Sequence, residues 1–492
     1  MRVCFVYPDI EGAQHYGSKK YYHGIGYLSS VLKANGHQTS LIYLAGMMSR
    51  DEFLRAVALR SPDLVAFSST TNQFPYARLY AGYVKEEAPK LPIIVGGTHP
   101  TLTPEESVLV PEFDYICVGE GEYALLELCT ALQAGGDTTK IKNIWQRRDG
   151  QVIRTPMRPL IQNLEAIPFA DREVFDFEEI LKQDNGWVDM MAGRGCPYDC
   201  SYCCNPGLKD TFHGLGKYTR YRPVENVMAE IENLEKTYHF KTLNFQDDVF
   251  TLKHDWTHEF CVSYTAHGFK YPFWVNTRVE RVEDEAVVKE LAAAGCRGIR
   301  VGLESGNEVL RKDVLKRRMS NETIRKTFRL VQKYGMETYT CNMLGLPGET
   351  PAMIQETIDF NRELSPTQLQ FSVFYPYPMT ELHDIAVEKG YYKEGDHTTS
   401  YYDKKSLLTL PTLTQEQISY YYDKFSELKW ELDLKRRSPT KHKLYTLLRY
   451  LYRDDTPRLH RHLDALRRVK SRVLGRRPSV VHTSVVSSQT SR

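Results

Sequence analysis

The chain has 492 residues, of which 41% are hydrophobic and 26% charged. This is the balance of a soluble globular protein and excludes collagen-like, disordered and disulfide-stapled classes. Its length predicts roughly three domains, no stretch reaches the ~20 apolar residues of a membrane span, and MRVCFVYPDI lacks the parts of a signal peptide, so a cytoplasmic location is expected. The formal charge of +2 hides an asymmetry: residues 1–434 hold 48 Lys/Arg against 59 Asp/Glu, whereas residues 435–477 hold 15 against 3.

Residues 1–135 form the first predicted domain. The apolar runs RVCFVYP, TSLIYLAG, DLVAFSS, LPIIVGG and DYICVGE alternate with amphipathic stretches. That pattern predicts an α/β fold with a doubly wound, Rossmann-like parallel sheet. Ligands on such sheets bind at the carboxyl ends of the strands. Here those ends are polar and glycine-rich, and they carry Ser69, Thr70, Asn72 and Gln73, then Gly96, Gly97, Thr98 and His99, then Gly119, Glu120 and Gly121. Residues 136–185 read as a linker with a hairpin around Arg148-Asp149-Gly150.

A second alternating array occupies residues 186–395. Its strands are VDMMAGRG, KTLNFQDD, PFWVNTR, GIRVGLES, TYTCNMLG and LQFSVFYP. Six units predict a partial (β/α)6 barrel, since a closed eight-unit barrel takes ~250 residues. Residues 396–478 read as a helical C-terminal region with helices over Gln415–Leu434, Lys443–Arg453 and Pro457–Leu474. The last sets Leu459, Leu463, Leu466, Val469 and Val473 on one face among Arg and Lys, as a basic amphipathic helix. The Ser/Thr-rich residues 479–492 are expected to be a disordered tail.

The ten cysteines divide into a cluster and a scatter. In GRGCPYDCSYCCNP, Cys196, Cys200 and Cys203 follow a strand with C-x3-C-x2-C spacing. Three thiolates on one tight loop can ligate three irons of a [4Fe–4S] cube and leave the fourth open. The alternatives are a chance cluster or a three-thiol zinc site with a distant His. Cys204 could stand in for its neighbour, but chain geometry disfavours both as ligands. Cys4, Cys117, Cys129, Cys261, Cys296 and Cys341 are expected to be small core residues. Later strand ends add Asp247 and Asp248, Asn276 and Arg278, Glu304 and Ser305, and Gly345. Each also has a plain structural reading: an aspartate capping the helix near residue 254, a surface ion pair for Arg278, a solvated Glu304.

The cysteine spacing, with Tyr202 before the third cysteine, resembles the radical S-adenosylmethionine (SAM) family. The resemblance implies reductive cleavage of SAM at the open iron to methionine and a 5′-deoxyadenosyl radical. It implies SAM contacts from Tyr202, Asp247, Asp248, Asn276, Arg278, Glu304, Ser305 and Gly345, although this chain has acids where many members have Gly-Gly-Glu. FYPYPMTELHD is similar to a segment of the same subfamily, with Met379 where glycine is usual.

A doubly wound sheet ahead of such a core resembles the cobalamin-binding class of the family, over residues 1–390. YYHGIGYLSSVLKANGHQTSLIYL, VGGTHPTLTPEE and YICVGEGE carry the likeness. The polar strand ends of the first domain then become cobalamin contacts. No Asp-x-His-x-x-Gly string is present, so the expected cobalamin is base-off without a His ligand, with Asn72 or Gln73 nearest the cobalt. A vestigial sheet that binds no corrinoid is the alternative.

The reaction implied is methyl transfer to an unactivated centre of a small molecule, lipid or tetrapyrrole, with a reduced flavodoxin or ferredoxin as electron donor. Alternatives are a non-methylating cyclase or rearrangement enzyme and, outside enzymes, a corrinoid-binding module. The basic helix reads either as a peripheral contact to an anionic membrane or as a solvated face. No nucleic-acid motif accompanies its charge, so no specific nucleic acid is expected. Tyrosine clusters at Tyr391–Tyr402 and Tyr420–Tyr422 read equally as pocket lining or ordinary core.

Overall fold

A computed structural model of the protein describes residues 1–393 and 404–451. The helix expected at Pro457–Leu474, the tail beyond it and the tyrosines at 401 and 402 lie outside the described residues. The chain divides into two compact units, Met1–Lys429 and Trp430–Arg492. Within the second, the Trp430 ring meets Tyr445 edge-on with centroids 5.0 Å apart. The C-terminal helices run over Gln415–Arg437 and Pro439–Leu451.

The first sheet has strands β1 (Arg2–Tyr7), β2 (Gln38–Tyr43), β3 (Leu64–Ser68), β4 (Ile93–Gly96), β5 (Tyr115–Cys117), β6 (Ile144–Arg148) and β7 (Gln151–Ile153), in the order β2-β1-β3-β4-β5-β6-β7. The first five are parallel, and β6 and β7 are antiparallel additions. The hairpin at Arg148-Asp149-Gly150 is therefore part of this sheet, not of a free linker, because β6 pairs with β5 from Tyr115 to Cys117.

β3 is buried along its whole length, as a central strand covered by helices on both faces must be. Val3 and Phe5 of β1 join one core, and Cys4 and Val6 the other. The second core packs the helices Arg50–Arg60 and Phe74–Glu87 through Phe53, Val57, Ala77 and Tyr80. The chain leaves β1 to one side for β2 and returns to the other for β3. That reversal opens a crevice at the strand ends, the position where doubly wound sheets take ligands.

The second sheet holds β8 (Trp187–Met190), β11 (Thr242–Phe245), β12 (Phe273–Thr277), β13 (Cys296–Glu304), β14 (Glu337–Leu344) and β15 (Gln368–Val373), all parallel in the order β15-β14-β13-β12-β11-β8. Between β8 and β11, the ribbon β9 (Gly193–Arg194) and β10 (Arg220–Tyr221) pairs antiparallel. The six strands form the open half-barrel the sequence predicts. Helices return behind them with side-chain caps: Asp284, Ser320 and Thr350 accept from the backbone N–H groups of Ala286, Thr323 and Met353.

One apolar core continues from Val3, Phe5 and Leu32 of the first sheet layer to Val188, Leu243 and Ile299 behind the half-barrel. In β14 the buried residues Thr338, Thr340, Asn342 and Leu344 alternate with less buried Tyr339, Cys341 and Met343. Tyr339 and Cys341 look into a cavity. Cys341 thus departs from the expected core role, Cys117 is buried yet also lines the cavity, and Cys4, Cys129, Cys261 and Cys296 are core residues.

Candidate functional site

A single cavity of about 1140 Å³ is walled by the strand ends of the first sheet and by the inside of the half-barrel. Pockets for one drug-sized ligand run to ~300–1,000 Å³, so this space suits more than one small group.

On the first wall, Gly96, Gly97, Thr98, Gly119, Glu120 and Gly121 line the cavity as expected. Gly97 has φ +108°, and a Cβ there would stand 2.6 Å from the Ser69 carbonyl oxygen, so only glycine lets the end of β4 pass the loop after β3. Glu120 is committed elsewhere. Its carboxylate accepts from Arg220 at 2.9 and 3.0 Å, from Arg194 at 2.9 Å and from the Ile161 N–H at 2.7 Å.

Five expected cobalamin contacts do not line the cavity. Ser69 donates to the Thr70 carbonyl, and Gln73 accepts from the Thr70 N–H at 3.0 Å. His99 lies on the Phe74 ring, centroids 4.1 Å apart, and contacts Thr71 and Thr103 through its two ring nitrogens. Asn72 is buried in the same turn. The segment 69–74 turns into the helix Phe74–Glu87 and packs inward, which removes these side chains from the strand-end surface.

The sequence reading missed the aromatic run before the helix His23–Ala34. Tyr21, Tyr22 and His23 all line the cavity. Tyr22 stacks on Tyr7 at 4.7 Å. The Tyr21 hydroxyl and the His23 Nε2 have no hydrogen-bond partner among the described residues. Burial pushes the His23 imidazole down to about 3, so it is neutral. The signal was the string YYH at a helix start in a segment otherwise apolar.

Beside the second wall, the cysteine loop leaves β9 through Gly195, whose φ is +84° and whose Cβ would stand 2.5 Å from the Tyr218 carbonyl oxygen. Gly195 and Cys204 line the cavity, whereas Cys196, Cys200, Cys203, Tyr202, Arg278 and Glu304 lie behind its wall. The Cys200 Sγ accepts from Arg278 Nη1 at 3.3 Å and from Arg317 Nη1 at 3.7 Å. The Cys203 Sγ accepts from the Asn205 N–H at 3.5 Å and its amide at 3.6 Å. The hydrogen bond from the Cys204 thiol brings Cys203 down to about 7, and the same bond drives Cys204 upward. Within this adjacent pair the Cys204 thiol is the donor and the Cys203 sulfur the acceptor. Burial raises Cys196 to about 12, and a metal would bind it as the thiolate. Among the described residues no three His, Cys, Asp or Glu side chains gather to hold a single metal ion. The fit to a cluster rests on the donor set itself, three soft thiols on one loop with cations beside one of them.

Arg278 is not a surface ion pair. It is buried, stacks on the Tyr198 ring at 3.8 Å and pairs with Glu280 at 2.7 Å while donating to Cys200. The Tyr202 hydroxyl donates to Glu304 at 2.9 Å, and Arg317 donates to that hydroxyl at 3.3 Å. Glu304 is buried, not solvated, and burial pushes its carboxyl up.

Asp247 accepts from the Ala192 N–H at 3.0 Å through one oxygen, and its other oxygen has no partner among the described residues. Burial pushes it up to about 7. Neither Asp247 nor Asp248 caps the next helix, whose N-cap is Lys253; both line the cavity. Asn276 donates to the Asp247 carbonyl at 3.1 Å and stays out of the cavity wall. Ser305 is also out of reach. It is fully buried and lies 3.4 Å from the Thr357 hydroxyl on the helix Pro351–Leu364 behind the sheet. The Gly345 N–H donates to Glu349 at 2.7 Å, which holds that turn from within. Met379 adopts φ +61°, so the turn keeps the left-handed conformation that glycine would supply.

Residues 15–129 match the B12 binding domain family model, and residues 190–360 match the radical SAM superfamily model. The chain carries a B12-binding domain followed by a radical SAM domain. It is similar to an uncharacterized methyltransferase of Pyrococcus horikoshii, 27% identical over 79% of this chain and 83% of that one. It is also similar to the anaerobic magnesium-protoporphyrin IX monomethyl ester cyclase of Rubrivivax gelatinosus, 26% identical over 78% of this chain and 69% of that one. Among solved structures, the radical SAM methyltransferase TsrM of Kitasatospora setae shares the fold, with a TM-score of 0.63 and 21% identity over 79% of this chain and 76% of that chain.

A radical SAM protein of this architecture uses a [4Fe–4S] cluster, SAM and cobalamin. The donor sets fit each. Cys196, Cys200 and Cys203 can take three irons. The unpartnered Asp247 oxygen is an acceptor waiting for a donor such as an ammonium group. The first wall offers glycine backbone, the aromatic faces of Tyr21 and Tyr22, and unpartnered polar atoms to a large ring with polar edges. No helix among the described residues is long and apolar enough to cross a membrane.

Proposed function

We propose that this protein is a cobalamin-dependent radical SAM methyltransferase. One observation carries the reading: a single cavity joins the strand ends of the B12-binding sheet to those of the radical SAM half-barrel. When bound, the cluster with SAM supplies hydrogen abstraction from an unactivated position, and the corrinoid supplies a methyl group.

The chain's own part is positioning and exclusion. Cys196, Cys200 and Cys203 hold the cluster, with Arg278 and Arg317 set against the sulfur of Cys200. Asp247 receives the SAM amino group, while Asp248, Tyr202 and Glu304 complete that side. Gly96, Gly97, Thr98, Gly119 and Gly121 would cradle the corrinoid, and the chain carries no Asp-x-His-x-x-Gly string. Placement of the cavity between two sheets would limit the access of water and oxygen to reactive species.

The test is anaerobic reconstitution with iron, sulfide and hydroxocobalamin, read by EPR. A base-off cobalt signal beside a cluster signal perturbed by SAM supports the reading. A cluster without bound corrinoid overturns it. S-adenosylhomocysteine formed together with 5′-deoxyadenosine marks methylation. The likeness to the Rubrivivax cyclase favours a second reading, radical cyclisation, and 5′-deoxyadenosine without S-adenosylhomocysteine would select it.

A reduced flavodoxin or ferredoxin is the proposed donor. The basic segment 435–477, with its 15 Lys/Arg, is proposed to touch anionic membrane, which suits a lipid-like or tetrapyrrole substrate. Arg467, Arg468, Lys470 and Arg472 replaced together by Gln in the full chain should reduce co-sedimentation with anionic liposomes. Equal pelleting would end the idea.

A further inference from the structure

Closed barrels of parallel strands fill their interior with layers of branched apolar side chains. The half-barrel here does not. The positions its strands turn toward the cavity include Asp189, Asn244, Arg300, Tyr339 and Gln370. This inner chamber is polar and aromatic, and its depth is not explained by the cysteine loop or by the strand ends that face SAM.

Arg300 is the chamber's unanswered charge. Four other arginines have carboxylates: Arg172 and Arg222 share Glu230, and Arg194 and Arg220 share Glu120. Buried Arg317 donates instead to Cys200, Tyr202 and the Gly302 carbonyl. Among the described residues no carboxylate lies within ion-pairing distance of Arg300. Its guanidinium donates to the amide oxygens of Asn244 and, at 3.5 Å, Asn276. It stands 5.3 Å from the Trp274 ring centroid, 5.7 Å from Trp187 and 5.6 Å from Tyr339.

Neutral oxygens and ring faces orient the fork without neutralising it, and this half-buried cation keeps the capacity to take a direct counter-ion. Asp189 acts on it only through space. Asn244 stands between them, donating to the same Asp189 oxygen that accepts from Gln246 at 3.0 Å.

We propose that Arg300 anchors a carboxylate of the substrate, and that the half-barrel interior is the substrate subsite. The inference rests on the proposed reading only in taking this cavity as the reaction chamber. A planar guanidinium matches a carboxylate through two parallel hydrogen bonds. The flanking indole and phenol faces accept a flat body beside that group. Asp189 is left to take a donor from the same ligand.

SAM carries a carboxylate too, so the test separates the two sources. Protein loaded with cluster and cobalamin and saturated with SAM is titrated calorimetrically with indole-3-acetate and phenylacetate, and with the corresponding amides. The wild type should bind the acids about tenfold or more tighter than the amides, the worth of one charge-assisted contact. Arg300→Gln should abolish that preference and Arg300→Lys retain part of it, with cluster content unchanged in both. The SAM dissociation constant, measured by equilibrium dialysis, should differ by less than about twofold across the three proteins.

Equal binding of acid and amide, binding of neither, or a preference that survives in Arg300→Gln would overturn the inference. Loss of SAM binding in Arg300→Gln would assign the arginine to SAM and overturn it equally. Failure of the methyltransferase reading shows separately, as absent corrinoid or absent S-adenosylhomocysteine with the acid preference intact.

Discussion

Glu120, at the end of the first sheet, is gripped by Arg220 of the ribbon that leads into and out of the cysteine loop, through contacts of 2.9 and 3.0 Å. Arg194 of the same ribbon adds a third at 2.9 Å. A residue whose position suggested a corrinoid contact therefore ties the B12-binding sheet to the loop that holds the cluster. Replacing Glu120 by Ala would leave two partly buried guanidinium groups without this partner, a loss of about 3–5 kcal/mol. Thermal unfolding of the reconstituted protein should show that loss, together with weaker retention of both iron and cobalamin. Loss of one cofactor alone would contradict the coupling.

Cys196→Ala, Cys200→Ala and Cys203→Ala should each fail to hold a full cluster, whereas Cys204→Ala should retain it. Iron and sulfide analysis after anaerobic reconstitution checks this. Equal loss in Cys204→Ala would show that the adjacent thiols exchange roles.

Asp247 lines the cavity and keeps a buried oxygen without a partner among the described residues. Asp247→Asn should weaken SAM binding by roughly tenfold or more, the worth of one charge-assisted hydrogen bond. Equilibrium dialysis on cluster-loaded protein measures it. Unchanged affinity would remove Asp247 from the SAM site.

Asn72 and Gln73 turn inward, away from the cavity wall. Replacing both by Ala should leave the EPR spectrum of bound cob(II)alamin unchanged. A shifted cobalt signal would bring the loop back beneath the corrin.

Glu349 is fully buried, and burial pushes its carboxyl up to about 8. Between the ordinary glutamate value near 4.5 and about 8, the folded protein keeps a proton that the unfolded chain has lost. This contribution to stability therefore falls as pH rises through that window and levels off above it. Glu349→Gln should flatten the decline in melting temperature between about pH 5 and pH 8. A slope identical to wild type would contradict the buried, protonated state.

Much of the architecture was already determined by the sequence, because the signals are local. Apolar runs such as DLVAFSS name strands that are buried on both faces. Glycine and polar residues name strand ends, and the three cysteines name soft-metal chemistry by spacing alone. The parallel class of both sheets follows from these runs, while their strand orders and the antiparallel β6 and β7 were decided by the fold.

Which strand-end residues face the cavity was decided only by tertiary structure. Ser69, Asn72 and His99 look like Thr98 and Gly119 in the chain, yet the helix that starts at Phe74 folds the first group inward. Ser305 adjoins Glu304, but β13 ends between them: one side chain turns to Tyr202 and the other to Thr357. That Arg300 has no ion pair among the described residues was equally invisible, because a missing counter-ion is a property of the neighbours that four other strands bring beside it. Side-chain direction at a strand end depends on a single turn of backbone, and electrostatic partnership on distance in space. Neither is written in spacing along the chain.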